Sequence, residues 1–279
     1  MIRNSIFDKF DLKNEVIIIT GAAGLLGEMH AQTVLEAGGN AVLLDINKNL
    51  LDSKVNKLKT LYGNRATGIE CDITNRENLF DCKEKILTKY NSITGLVNNA
   101  ANDPKVTDEL NSNLKTRFEN FPINFWQKDL EVGLTGAFLC SQVFGEYMAK
   151  MNKGVIVNIA SDLSVIAPDQ NLYKIDGLPE NQQPVKPISY SVVKTGLIGL
   201  TKYLATYWAD RNIRVNAISP GGIFNNQNDI FLERIKSKIP LQRMAKKDEY
   251  KGSLLYLLSD ASSYLTGFNL VVDGGRSTW

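Results

Sequence analysis

Tyr190 and Lys194 lie about one helical turn apart in Tyr190-Ser191-Val192-Val193-Lys194, a spacing that puts a phenol and an ammonium on one face of a helix. A phenol with an unperturbed pKa of about 10 is a poor base at neutral pH, but a nearby cation favours the phenolate and brings it toward the working range. Such a pair can pass a proton to or from a substrate oxygen. In a chain with ten tyrosines one Tyr-x-x-x-Lys pair arises by chance, so the weight of this one comes from its company. The apolar run Gly154–Ile159 ends in Ala160-Ser161, which sets a hydroxyl at the carboxyl end of a predicted strand. Open α/β sheets bind their ligands at that edge. Asn98-Asn99-Ala100-Ala101 and Ser219-Pro220-Gly221-Gly222 close two further predicted strands there with small or polar residues.

A second set of residues lies near the start of the chain. The run Glu15–Thr20 leads into Gly21-Ala22-Ala23-Gly24-Leu25-Leu26-Gly27 and then a helical pattern. Glycines in such a turn let a pyrophosphate approach unpaired backbone N–H groups at the positive end of the helix. The next predicted strand ends in Asp45, where a carboxylate can accept from the adenosine ribose hydroxyls and repel a 2′-phosphate. Ile46 and Asn47 bring no arginine to bind one, so NAD is expected over NADP, with Lys48 the nearby cation against that choice.

Holding these groups together requires a parallel sheet. Short β-branched runs at Glu15–Thr20, Ala41–Asp45, Ala66–Glu70, Gly95–Asn98, Gly154–Ile159, Ile213–Ile218 and Asn269–Val272 read as strands. Amphipathic stretches at Leu26–Ala37, Leu79–Tyr90, Trp126–Met148, Ser189–Trp208 and Asp248–Leu258 are long enough for the crossovers that parallel strands need. The expectation is an α/β chain: one doubly wound, seven-stranded parallel sheet with helices on both faces, forming a single domain over 1–279. Residues 168–187 break the rhythm, holding four of the eight prolines, which block helix interiors and central strands. This Pro-rich insertion leaves and returns between Ser161 and Tyr190, so it reads as a wall or lid in which Tyr173, Lys174, Gln182, Gln183 and Lys186 could meet a polar substrate, or else as a subunit-contact loop.

Composition removes other chemistries. Thirty-two Lys and Arg against 30 Asp and Glu leave a net charge of +2, which favours neither nucleic acid nor an anionic membrane as partner. No stretch approaches the roughly 20 apolar residues that span a bilayer, and the scattered charges of the first fifteen residues give no export signal, so a cytoplasmic protein is expected. Cys71, Cys82 and Cys140 are too few and too widely spaced for a disulfide framework or a Cys-x-x-Cys metal pair. The single histidine, His30, leaves a His base or multi-His metal site without material.

Taken in order, Thr20–Gly27, Asp72, Asn98–Ala101, Ser161, Tyr190 with Lys194, and Pro220-Gly221-Gly222 resemble the short-chain dehydrogenase/reductase superfamily, over nearly the whole chain. The resemblance implies a Rossmann fold and an NAD(P)-dependent oxidoreductase that interconverts an alcohol and a ketone. Tyr190 would exchange the proton, Lys194 would hold the nicotinamide ribose and favour the phenolate, and Ser161 would hydrogen-bond the reacting oxygen. It also implies cofactor contacts from Gly21, Gly24, Leu25, Leu26, Gly27, Asp45, Asp72, Ile73, Asn99, Ala100, Tyr190, Lys194 and Ile223, and a homodimer or homotetramer built on the helices containing Trp126–Met148 and Ser189–Trp208. Ser161-Asp162-Leu163-Ser164, the Pro-rich insertion and Asp273-Gly274-Gly275-Arg276 further resemble oxidoreductases associated with bacterial flagellin modification and sialic-acid-like sugar synthesis. That implies a small, polar, sugar-derived substrate.

The chain departs from the pattern at three places. Gly24 comes one position early, a spacing commoner in nucleotide-sugar epimerases and dehydratases that oxidise transiently. Gly133, in Val132-Gly133-Leu134-Thr135-Gly136, stands where members carry an Asn that completes a proton relay; a catalytically weak cofactor-binding partner is the corresponding alternative. Asn225 stands near a position often held by Thr.

Overall fold

The β-branched runs become strands because their side chains can be buried on both faces of a parallel sheet. A computed structural model describes residues 5–102 and 114–279. Its strands are β1 (Val16–Thr20), β2 (Asn40–Asp45), β3 (Ala66–Glu70), β4 (Gly95–Asn98), β5 (Gly154–Ile159), β6 (Ile213–Pro220) and β7 (Asn269–Val272). They form one sheet in the order β3-β2-β1-β4-β5-β6-β7, with every pairing parallel. Each expected strand is present with ends displaced by two residues at most. The order reverses between β1 and β4, which opens a crevice at their carboxyl ends.

Alternation along β1 assigns the two faces. Ile17 and Ile19 pack with Val34 and Leu35 of α1 (Leu25–Glu36), Leu51 and Leu58 of α2 (Lys48–Tyr62) and Leu254 of the C-terminal helix Lys251–Leu258. Val16 and Ile18 pack with Leu79 and Ile86 of α3 (Arg76–Tyr90), Phe144 of α4 (123–150) and Leu204 of α5 (Ile188–Tyr207). Among the described residues the remaining α-helices of eight residues or more are α6 (Asp229–Lys236) and α7 (Lys251–Leu258); α2 and α6 were not singled out by the apolar pattern. Cys71, Cys82 and Cys140 are buried free thiols in the second cluster. No helix among the described residues is long and apolar enough to cross a membrane.

The Pro-rich insertion is knitted to itself and to its neighbours. Gln183, buried, accepts from the Ile175 N–H at 2.8 Å and donates to the carbonyls of Ile175 (2.9 Å) and Leu178 (2.7 Å). Arg234 of α6 donates to the Asn171 and Lys174 carbonyls, and Arg117 donates to Glu180 O at 2.9 Å. The Tyr173 ring packs on Phe231, and Lys174 lies 3.7 Å from Glu180. The lid reading is corrected for Gln183, whose amide is consumed inside the loop.

Helix α4 carries two π-helical segments, Glu131–Thr135 and Ser141–Gly145. Gly133 lies in the first, pressed on α5, where an added Cβ would come within 2.5 Å of Val193 Cγ1. The position that the family fills with Asn is therefore filled here by a neighbouring valine. On the other side of the sheet Glu28, in the first turn of α1, receives Lys54 at 2.6 Å and Lys57 at 2.9 Å from α2. Burial alone would raise the Glu28 carboxyl, but hydrogen bonds and charge from the two lysines outweigh it and hold the group below its ordinary value.

Two predictions follow from this packing. Gly133→Asn should cost about 1–3 kcal/mol by overpacking, and adding Val193→Ala should recover most of the loss; paired thermal melts measure both. A carboxyl depressed in the folded state contributes stability that is complete above its unfolded pKa and fades as pH falls through the folded one. Glu28→Gln should lower unfolding free energy at neutral pH by about 1–3 kcal/mol, with the gap to wild type closing below about pH 4. Denaturant titrations at pH 7 and pH 3 read the difference; a gap that ignores pH would refute the pairing.

Candidate active site

Parallel strands deliver their carboxyl ends to one edge, so the residues following β1, β2, β3, β4, β5 and β6 converge there. After β1, Gly21 has φ +60°, and a Cβ on it would sit 2.7 Å from Ala100 Cα. A Cβ on Gly27 would run into the Gly21 carbonyl oxygen and Ala22. These two glycines are steric requirements of the turn. Gly24 is less constrained: it caps α1 with φ −71°, which any residue adopts, but a Cβ on it would press on Gly21 O at 3.2 Å, so the turn would have to give slightly. Leu25 is exposed in the first helical turn, while Leu26 packs on the core.

The turn is braced from both sides. Thr20 Oγ1 accepts from the Asn99 N–H at 3.0 Å and the Ala100 N–H at 3.1 Å. Asn99 donates its amide to the carbonyls of Thr20 (2.9 Å) and Gly21 (3.1 Å), so that side chain shapes the turn. Asp45 Oδ2 accepts from the Ala23 N–H and Oδ1 from the Asn47 N–H, both at 2.9 Å. Lys48 lies 3.0 Å from Asp52, and Lys54 and Lys57 are held by Glu28, so these α2 lysines already have carboxylate partners. Asp72 Oδ1 caps the turn before α3 by accepting from Thr74 N–H (2.9 Å) and Thr74 Oγ1 (2.7 Å). The Ile73 side chain packs in the core, where a Cβ on Gly136 would meet it at 2.6 Å. Ile223 bridges to Ala245, and its carbonyl accepts from Gln227 Nε2 at 2.9 Å.

The residues expected to do chemistry occupy the β5 end and the start of α5. Ser161 follows β5 and is buried; Tyr190 and Lys194 lie on α5, which packs against the turn after Ser161. Lys194 Nζ donates to the Ile159 carbonyl at 2.7 Å and stands 5.8 Å from the centre of the Tyr190 ring. The spacing had not revealed a second ammonium: Lys186 Nζ, from the end of the insertion, lies 3.9 Å from the same ring centre. Of the five insertion residues expected at the substrate, Lys186 is the one placed against the tyrosine.

His30 is buried on α1, and burial pushes its imidazole down to about 4, which leaves it neutral at pH 7 with Nε2 unpartnered. Below the site, Asn98 Nδ2 donates to Asn158 Oδ1 at 2.8 Å and Asn158 Nδ2 to Thr201 Oγ1 at 2.8 Å, tying β4, β5 and α5 together. No sequence motif marked Asn158 or Thr201. Among the described residues no three His, Cys, Asp or Glu side chains are placed to hold a metal ion.

An anion cradle at the α1 N-terminus, a carboxylate at the end of β2 and a phenol beside an ammonium fit a dinucleotide and a substrate oxygen at one edge. Residues 15–173 match the family model described as short chain dehydrogenase, and residues 180–277 match one described as enoyl-(acyl carrier protein) reductase. An NAD-dependent glycerol dehydrogenase of Listeria innocua is 33% identical over 277 residues, covering 96% of each chain. The post-translational flagellin modification protein A of Campylobacter coli is 32% identical, covering 95% of this chain and 98% of its own. A short chain dehydrogenase of Leptospira borgpetersenii, solved with bound NAD+, superposes with a TM-score of 0.82 at 30% identity, covering 99% of this chain and 97% of that one. With the fold, the ordered edge residues and these similarities in agreement, the chain belongs to the short-chain dehydrogenase family.

Proposed function

We propose that this protein is an NAD-dependent dehydrogenase interconverting an alcohol and a ketone on a small, polyhydroxylated, sugar-derived substrate. The observation that carries the reading is the Tyr190 phenol at the sheet's carboxyl edge, with the Lys194 ammonium anchored beside it on Ile159 O. When bound, the nicotinamide dinucleotide supplies hydride transfer, chemistry that no side chain of the chain provides. Gly21, Gly24, Leu25, Leu26 and Gly27 present the backbone that would hold its pyrophosphate. Asp45 would accept from the adenosine ribose, Asp72, Ile73, Asn99 and Ala100 would border the adenosine, and Ile223 would lie beside the nicotinamide.

In the oxidising direction Tyr190, as phenolate, takes the proton of the substrate hydroxyl; in the reducing direction the phenol returns it to the carbonyl oxygen. Lys194 and Lys186 both favour the anionic ring, and Lys194 would also hold the nicotinamide ribose. Ser161 fixes the reacting oxygen and stabilises the charge that develops on it. The polyol class is supported by the glycerol dehydrogenase relative, and a sugar-derived compound by the flagellin modification relative. NAD over NADP is supported by Asp45 and by the engagement of Lys48, Lys54 and Lys57 with carboxylates. Exposed Phe138 on α4 and Tyr203 and Tyr207 on α5 support a homodimer or homotetramer through those helices. A cytoplasmic setting accords with three buried free cysteines.

A panel of glycerol, arabinitol, xylitol and their ketoses with NAD and NADP tests the reading. Tyr190→Phe should lower kcat by about 10²–10⁴-fold while NADH binding, followed by fluorescence, persists; full turnover in that variant would refute it. Asp45→Ala should weaken NAD binding and narrow the preference over NADP by about 10–100-fold, the worth of its lost charge-assisted hydrogen bonds. Unchanged coenzyme preference would remove Asp45 from the ribose site.

A further inference from the structure

Ser161 is tied to a carboxylate that the proton-transfer scheme above does not use. Its Oγ lies 2.9 Å from Asp162 Oδ1 and accepts from the Leu163 N–H at 3.2 Å. Asp162 is only 3% exposed; Oδ1 also accepts from the Leu163 N–H at 2.8 Å, and Oδ2 accepts from Arg276 at 2.7 Å. The Arg276 side chain is itself 10% exposed, so the ion pair is withdrawn from water. A carboxylate paired with a guanidinium is acceptor-only, so its bond to Ser161 must use the hydroxyl hydrogen.

The C-terminal segment holds Arg276 in place. Asp273 Oδ1 accepts from the Gly275 N–H at 2.9 Å and Oδ2 from the Ser277 N–H at 2.7 Å, which folds the turn that carries the arginine. The same segment lies against the turn after β6, where a Cβ on Gly221 would come within 2.8 Å of Asp273 Cα. Tyr250, from the start of α7, donates to Gly221 O at 2.9 Å; burial first, then Asp162, Glu249 and Asp273, push its phenol up, so it stays neutral. The groups around Asp162 are thus one cation, one neutral phenol and the more distant Asp273 carboxylate.

We propose that Asp162 is a positioning residue for Ser161, with Arg276 as its anchor. It takes the serine hydrogen in the resting site and leaves Oγ to meet the substrate as an acceptor. This rests on the alcohol–ketone reading above. The consequence is a preference between the two forms of the substrate. While Tyr190 is still a phenol, the hydroxyl of an alcohol can accept from it and donate its own single hydrogen to Ser161 Oγ, turning that hydrogen to Tyr190 once the ring is ionised, whereas a ketone must first draw the serine hydrogen away from Asp162. The resting site is complementary to the alcohol, and the serine hydrogen moves to the reacting oxygen only as that oxygen gains negative charge. An Asn at 162 can donate its amide to Oγ and release the serine hydrogen toward a carbonyl.

A double-mutant cycle tests this with glycerol and dihydroxyacetone, or with the best polyol–ketose pair of the panel. Asp162→Asn should lower the ratio of the ketone KM to the alcohol KM about tenfold, and the change should vanish in a Ser161→Ala background. Arg276→Gln, which loosens Asp162 from its other side, should move the ratio in the same direction; it serves should Asp162→Asn fail to fold, as judged by melting temperature and NADH binding. Equal losses of kcat in both serine backgrounds, with the KM ratio fixed, would overturn the inference and leave the function standing. Wild-type protein inactive on every polyol and ketose would overturn both.

Discussion

The hydrogen bond from Lys194 to the Ile159 carbonyl is the join on which the candidate site depends. It connects a helix to the last residue of a strand, and it fixes an ammonium beside the Tyr190 ring. A cation held there favours the phenolate, and the strand carbonyl sets where that cation stands. Because β5 pairs with β4 and β6 in fixed register, that carbonyl also ties the tyrosine to Asn98-Asn99 on one side and to the Gly221 turn on the other. The buried Asn98–Asn158–Thr201 chain holds the same three elements from beneath.

The cofactor turn obeys a steric rule more than a motif. Gly21 and Gly27 admit no Cβ, since one faces Ala100 and the other faces the Gly21 carbonyl. Gly24, whose early position matches longer sugar-nucleotide enzymes, adopts a backbone conformation open to any residue. A Cβ there would still press on the Gly21 carbonyl at 3.2 Å, so its demand is one of space and not of backbone angle. Asp45 is committed in the same turn, accepting from the Ala23 and Asn47 N–H groups, so the carboxylate proposed for the ribose also shapes the cradle.

The Pro-rich insertion changes character between sequence and structure. Prolines mark it as irregular, and its end points place it near the substrate, but its polar side chains divide between two tasks. Gln183 bonds loop carbonyls from within, and Arg234 and Arg117 bond them from outside, bracing the insertion as a wall. Lys186 is laid over the Tyr190 ring. In the same way Gly133 marks a close approach of α4 to α5 at Val193, so the missing asparagine reflects packing at that crossing.

By itself the sequence determined the seven strands, the two-faced sheet and the edge at which Gly21, Asp45, Asn99, Ser161 and Tyr190 would stand, because periodicity and strand-end chemistry are local properties that a parallel topology carries to one side. Asp162 and Arg276 lie more than a hundred positions apart, so nothing in the sequence could pair the carboxylate beside Ser161 with its arginine, and Lys186, four positions before Tyr190 but outside the helix that begins at Ile188, is set over the ring by the path of the insertion. Only the folded chain decided those contacts, along with the engagement of Gln183 inside the loop. The physical reason is that a buried ion pair or a ring contact is specified by where two surfaces meet, and that meeting is settled by packing across the whole sheet.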